Sequence, residues 1–173
     1  RTNREALLAG APALAMIGLL VGFYFLNWIP PVPLSMKFGG MYHEVKRAGD
    51  HFELSYEKRW FQVWQRSNTT VAADEPIYCF TAVFAPVTLK TTVYHHWYYR
   101  SDKSKPFSHA DKIPLKIAGG REGGYRAYTF KQGLDVGDWR VDVETEDGRV
   151  IGRVPVHVEK RDDASRSLTT IVY

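Results

Sequence analysis

Residues 6–29 read ALLAGAPALAMIGLLVGFYFLNWI, 24 positions without a charged side chain. Wound as an α-helix, such a run is about 36 Å long, against a bilayer hydrocarbon core of ~30 Å. A chain that starts this way has to cover a greasy rod, and lipid covers it best. The sequence therefore predicts one N-terminal transmembrane helix within residues 1–29. Ala13-Leu14-Ala15 has the small-x-small form of a signal cleavage site, but the apolar run continues well past it, where a signal peptide would end. The run is read as an uncleaved anchor. The chain opens on Arg1 rather than Met, and so reads as a processed product or a portion of a longer protein.

Small residues punctuate the run. Gly18 and Gly22 stand four apart, and Ala9, Ala11, Ala13 and Ala15 precede them. Such positions let a second helix approach closely enough for van der Waals packing in lipid. Pro12 loosens the first half. Tyr24 and Trp28 fall near the far end, where amphipathic rings favour the headgroup level. Pro30, Pro31 and Pro33 then stop any helix and favour an extended backbone, which predicts a stiff stalk over residues 30–36. Arg1 and Arg4 before the run are balanced by Lys37, Lys46 and Arg47 after it, so basic residues do not choose a side of the membrane.

The rest of the chain is built differently. Apolar positions recur mostly every second residue, the period of a half-buried strand. Residues 42–47 and 51–57 read as a hairpin about Gly49, with Phe52, Leu54 and Tyr56 on one face. Residues 60–65 read as a short aromatic strand and 67–75 as a polar loop. Residues 77–84 are apolar on both faces, as in a central strand. Residues 87–100 form a long strand with Val93 and Trp97 on one face and Tyr94, His96 and Tyr98 on the other, followed by a polar loop over 101–112. Residues 113–118 and 125–131 flank GGREGG. Trp139, Val141 and Val143 alternate with charged residues up to Asp147-Gly148, a strong hairpin-turn signal, and residues 150–158 return. These elements predict an all-β head over 37–159, an immunoglobulin-like antiparallel sandwich. A polar tail over 160–173 is expected to hang loose.

Composition narrows function by subtraction. The net charge is +4, and acidic and basic residues are interleaved. That is a solvated surface, whereas a nucleic-acid footprint gathers its basic residues on one face. Cys79 is the single cysteine, so no intrachain disulfide forms, and its apolar setting makes it a small buried hydrophobe. GGREGG lacks the Lys-Ser/Thr of a phosphate loop and joins strands, so its glycines are turn residues. Ser108, His109 and Asp111 are too close in sequence to form a nucleophilic triad.

Two clusters remain as candidate sites. His95 and His96 point to opposite faces of a strand, so a metal site would combine one of them with His109 and Asp111, the candidate set being His96, His109 and Asp111. Tyr94, Tyr98 and Arg100, with Arg121 of the glycine-rich link, offer ring and guanidinium anchors of the kind found at interfaces. No catalytic residue and no cofactor are assigned.

Several strings carry a resemblance: NWIPPVPLSMK, MYHEVKR, YCFTAVFAP, HHWYYRSD, KIPLKIAGGREGGYRAYTFK and WRVDVETEDGRVIGR. Through them, residues 27–159 resemble a bacterial family of membrane-associated domains of unknown function. Members carry several hydrophobic spans before the domain, where this chain shows one. The resemblance implies a head facing the envelope, periplasmic; the one apolar run of this chain makes the expected protein single-pass in a bacterial inner membrane. The expected function is that of a non-catalytic accessory subunit of a larger membrane complex, respiratory or photosynthetic complexes being hosts of that kind. Its partners are then the bilayer and other subunits, not nucleic acid. An envelope-glycan module is the alternative, and a metal-dependent hydrolase a more distant one.

Overall fold

The computed structural model describes residues 2–26, 34–58, 66–86, 89–119, 123–160 and 167–173, with side chains from Gly10 onward in the first stretch. The chain divides into two units, Arg1–Pro33 and Leu34–Tyr173.

The first unit is helix α1 (Thr2–Phe25), with Pro12 inside it. Leu14, Ile17, Leu20, Val21 and Phe25 are exposed, at 48% for Val21 and 76% for Phe25. Among the described residues no helix is long and apolar enough to cross a membrane. Trp28 and the three stalk prolines lie outside the described residues. Leu34 belongs to the second unit, and Ser35 and Met36 already form a strand, so the stalk drawn over 30–36 ends sooner than expected.

The described part of the second unit holds β1 (Ser35–Tyr42), β2 (Glu44–Ala48), β3 (His51–Glu57), β4 (Thr70–Ala72), β5 (Ile77–Phe84), β6 (Lys90–Arg100), β7 (Ser108–Ala118), β8 (Tyr125–Lys131), β9 (Gly137–Thr145), β10 (Val150–Glu159) and β11 (Leu168–Val172). They form three sheets, ordered β1-β5-β8, β4-β10-β9-β6-β7 and β11-β3-β2. Pairing is antiparallel except between β4 and β10.

The apolar double face of β5 has a direct cause: the middle sheet is covered on both sides. Ile77 and Cys79 enter one core with Met41, Trp97, Trp139, Val141, Val154, Val156 and Val158. Their neighbours Tyr78 and Phe80 turn to a second core with Tyr42, Leu54, Tyr56 and Ile171. Cys79 is fully buried, and burial raises its thiol pKa. The β9–β10 hairpin turns as expected at Asp147-Gly148, where Gly148 has φ 80°.

The structure departs from the expected strand list in four places. Ser35–Tyr42 is a strand, the edge partner of β5. Within the expected polar loop, Val71 and Ala72 are buried in β4 against β10. β7 begins at Ser108, because long β6 offers it a partner as far as Tyr99. The tail is not loose throughout: Leu168–Val172 pairs with β3, and Tyr173 stacks on Phe38 at 4.6 Å and meets Phe80 edge-on at 5.5 Å. Each is hidden in the sequence because polar residues surround a few apolar ones that matter. The aromatic strand expected over 60–65 lies outside the described residues.

Tyr173→Ala should therefore destabilise the β-domain by about 2 kcal/mol, through lost ring burial and an opened edge. Urea denaturation followed by tryptophan fluorescence measures it. A shift below about 0.5 kcal/mol, the range of ordinary surface changes, would mean the ring is not a structural pin.

Candidate functional site

Alternation along β6, β9 and β10 gives the five-stranded sheet two unlike faces. Inward go Val93, His95 and Trp97 from β6, Trp139, Val141 and Val143 from β9, and Val154, Val156 and Val158 from β10, all buried. Outward go Tyr94, His96, Tyr98 and Arg100, opposite Glu144, Asp142, Arg140 and Asp138 of β9 in that order. β10 adds Arg153 opposite Asp142 and His157 opposite Asp138. β7 adds Lys112 opposite His96 and His109 opposite Tyr98.

These outward residues form a checkerboard of opposite charges. Arg153 holds Asp142 with two hydrogen bonds, Nε at 2.7 Å and Nη2 at 3.1 Å. Arg140 approaches the same carboxylate at 3.4 Å. Arg100 donates to Asp138 from Nε at 3.0 Å and pairs with it from Nη2 at 2.9 Å, and His157 Nδ1 reaches Asp138 at 2.7 Å. Glu144 pairs with His96 Nδ1 at 2.9 Å and Lys112 Nζ at 3.0 Å, and the Tyr98 hydroxyl donates to it at 3.3 Å.

The carboxylates lie beneath and the bases above. Asp142 and Glu144 side chains are 3% and 8% exposed, against 38% for Lys112 and 53% for Arg153. Burial by itself would raise the Glu144 carboxyl, but the hydrogen bonds and charges of His96 and Lys112 outweigh it and hold it below the usual range. The His157 hydrogen bond, aided by Arg100, likewise lowers Asp138. Burial, then the Glu144 charge, raises the Tyr98 phenol. The cations also cover the rings: Arg140 lies 4.9 Å from the Tyr98 centroid and 4.3 Å from that of Phe107, Arg100 4.5 Å from Phe107, and Lys112 4.7 Å from Tyr94.

Of the expected interface residues, Tyr94, Tyr98 and Arg100 share this face, and Arg121 lies outside the described residues. The metal cluster does not assemble. The rings of His96 and His109 approach to 4.8 Å on the outer face. A bulge between Trp97 and Tyr98 sets Asp111 opposite Trp97, on the other face, where it pairs with Lys131. Among the described residues no three His, Cys, Asp or Glu side chains gather as metal ligands. His95 is wholly buried: its ring nitrogens meet Thr81 at 2.8 Å and Thr129 at 2.9 Å, and Trp97 donates to Thr129 at 3.1 Å. This polar chain ties β6 of one sheet to β5 and β8 of the other.

Arg140, Arg153, Asp142 and Glu144 are not among the residues expected from sequence. Their signal is present all the same, because a strand with the sequence WRVDVET puts Arg140, Asp142 and Glu144 on one face. Among the described residues, Gly18 and Gly22 have no atom outside the helix's own backbone within 4 Å of an added Cβ, and Tyr24 is exposed.

The chain is thus a β-sandwich domain preceded by a helix, with a charged, ring-lined outer sheet. A family described as a protein of unknown function (DUF2914) matches residues 90–158, the stretch from the start of β6 to β10 that carries this face. No curated protein matches. A solved structure described as an immunoglobulin-like protein from Pseudomonas aeruginosa is similar, with TM-score 0.40 and 10% identity, covering 75% of this chain and 99% of that one.

Proposed function

We propose that this is a non-catalytic accessory subunit of a larger membrane complex, held by its N-terminal helix and docking through the outer face of the five-stranded sheet. The observation that carries the reading is the helix surface. Leu14, Ile17, Leu19, Leu20, Val21, Phe25 and Leu26 point around the whole circumference, and all are exposed. A helix apolar on every side is covered by lipid or by other apolar helices. The charge-free run, residues 6–29, is 24 residues long, the length of a full span. The likeness to membrane-associated bacterial domains favours an inner-membrane protein with a periplasmic head.

The envelope-glycan reading is the weaker one. Sugars stack on open ring faces, and here cations occupy the faces of Tyr94, Tyr98 and Phe107.

The test is purification in mild detergent, with identification of what comes along. Among the described residues no atom outside the helix backbone lies within 4 Å of a Cβ added at Gly18 or Gly22, so Gly18→Leu with Gly22→Leu tests whether those positions pack against another helix. The double change should cut the co-purified partner at least about tenfold, the effect of ~1.4 kcal/mol of lost helix packing. Co-purification left unchanged would refute helix-mediated assembly.

A further inference from the structure

We infer that the outer face of the β4-β10-β9-β6-β7 sheet binds an acidic polypeptide segment. This rests on reading that face as the docking surface and specifies the partner's chemistry.

Four cations, Arg100, Arg140, Arg153 and Lys112, stand over three carboxylates, Asp138, Asp142 and Glu144. The carboxylates are the more buried members of these pairs, so an incoming partner meets the cations first. A guanidinium carries five N–H donors. Asp142 engages two nitrogens of Arg153, and Asp138 two of Arg100. These bonds use two of the three guanidinium nitrogens of each, and Arg140 is held by the rings of Tyr98 and Phe107 alongside. Held this way, arginine loses little side-chain entropy when it takes a second carboxylate.

The arginines also have a defined spacing. By register, Arg100 on β6 stands opposite Asp138, Arg140 follows two residues along β9, and Arg153 on β10 stands opposite Asp142, two residues further. Each step crosses one strand and two residues, so successive Cα atoms on this diagonal lie about 8 Å apart. Alternate side chains of an extended polypeptide repeat at about 6.7 Å, within the reach of long arginine side chains. A segment with Asp or Glu at every second position fits this row. Lipid headgroups carry no such fixed spacing, and the covered ring faces offer sugars no platform.

The experiment measures binding of fluorescent poly-L-glutamate to the full chain in an uncharged detergent, at low and raised salt. Soluble short-chain phosphatidylglycerol serves as competitor. Arg140→Gln with Arg153→Gln should weaken binding at least tenfold. Lys46→Gln with Arg47→Gln, the same charge loss on β2 of another sheet, should change it less than twofold. Arg153→Gln alone keeps the test alive if the double variant does not fold. Equal losses in both pairs would overturn the inference in favour of net charge. Displacement by phosphatidylglycerol at concentrations below those of glutamate side chains would overturn it in favour of lipid, and no binding of poly-L-glutamate would overturn it outright. Should a partner still co-purify with the chain in those cases, the acidic-segment assignment falls and the docking role stands. Should none co-purify, the docking role itself falls.

Discussion

Acidification from pH 7 to pH 4 should remove about 3 kcal/mol from the stability of the β-domain, through His95 alone. Burial pushes the His95 imidazole down from 6.5 to about 4, and a pKa lowered by one corresponds to about 1.4 kcal/mol. The sign follows from proton counting. Between pH 6.5 and 4 the unfolded chain takes up a proton that the folded chain refuses, so stability falls as pH falls. Above 6.5 the contribution is complete, and below about 4 this histidine removes nothing more. The lowered carboxyls of Asp138 and Glu144 act in a lower window, because their stabilisation is complete above the ordinary carboxyl range and lost below it. His95→Leu separates the two. At neutral pH it costs about 2 kcal/mol, chiefly by leaving Thr81 without its partner, and it should flatten the urea midpoint between pH 6.5 and 4. A variant that keeps the wild-type slope there would refute the assignment.

Trp97→Ala should cost about 3–5 kcal/mol, the ordinary range for removing a buried large aromatic. The indole is fully buried at the meeting of two sheets, edge-on to Trp139 at 6.5 Å. The companion Trp97→Phe divides the loss. It keeps most of the ring area and removes the N–H that donates to Thr129. Thr129 still has His95, so about 1–2 kcal/mol is expected. Urea denaturation of both variants in mild detergent gives the comparison. If Trp97→Ala lost less than about 1 kcal/mol, well under the range for such a site, the two sheets would not depend on this contact.

The β9–β10 hairpin is legible in the sequence, because alternation and an Asp-Gly turn are local signals. So is β5, whose apolar double face requires cover on both sides. β4 and β11 are not. Three residues, or five that follow a polar stretch, carry too little periodicity to show as strands, and they become strands only because β10 and β3 present open edges. The candidate site is half legible. The ring face Tyr94–Tyr98 follows from strand parity, while Asp111 goes astray because one extra residue in β7, Ala110 between His109 and Asp111, reverses parity there, and no composition signals that bulge.

Sequence alone determined that the chain opens on a helix carrying a long charge-free run and continues as an alternating β-domain, since both depend on spacings of a few residues along the backbone. Only the tertiary structure decided that His95 is a buried tie between sheets and His96 a surface member of a charge lattice. Both lie on the same strand, side by side, and what separates them is which face another sheet happens to cover. That cover comes from residues tens of positions away, and the strand's own sequence does not record it.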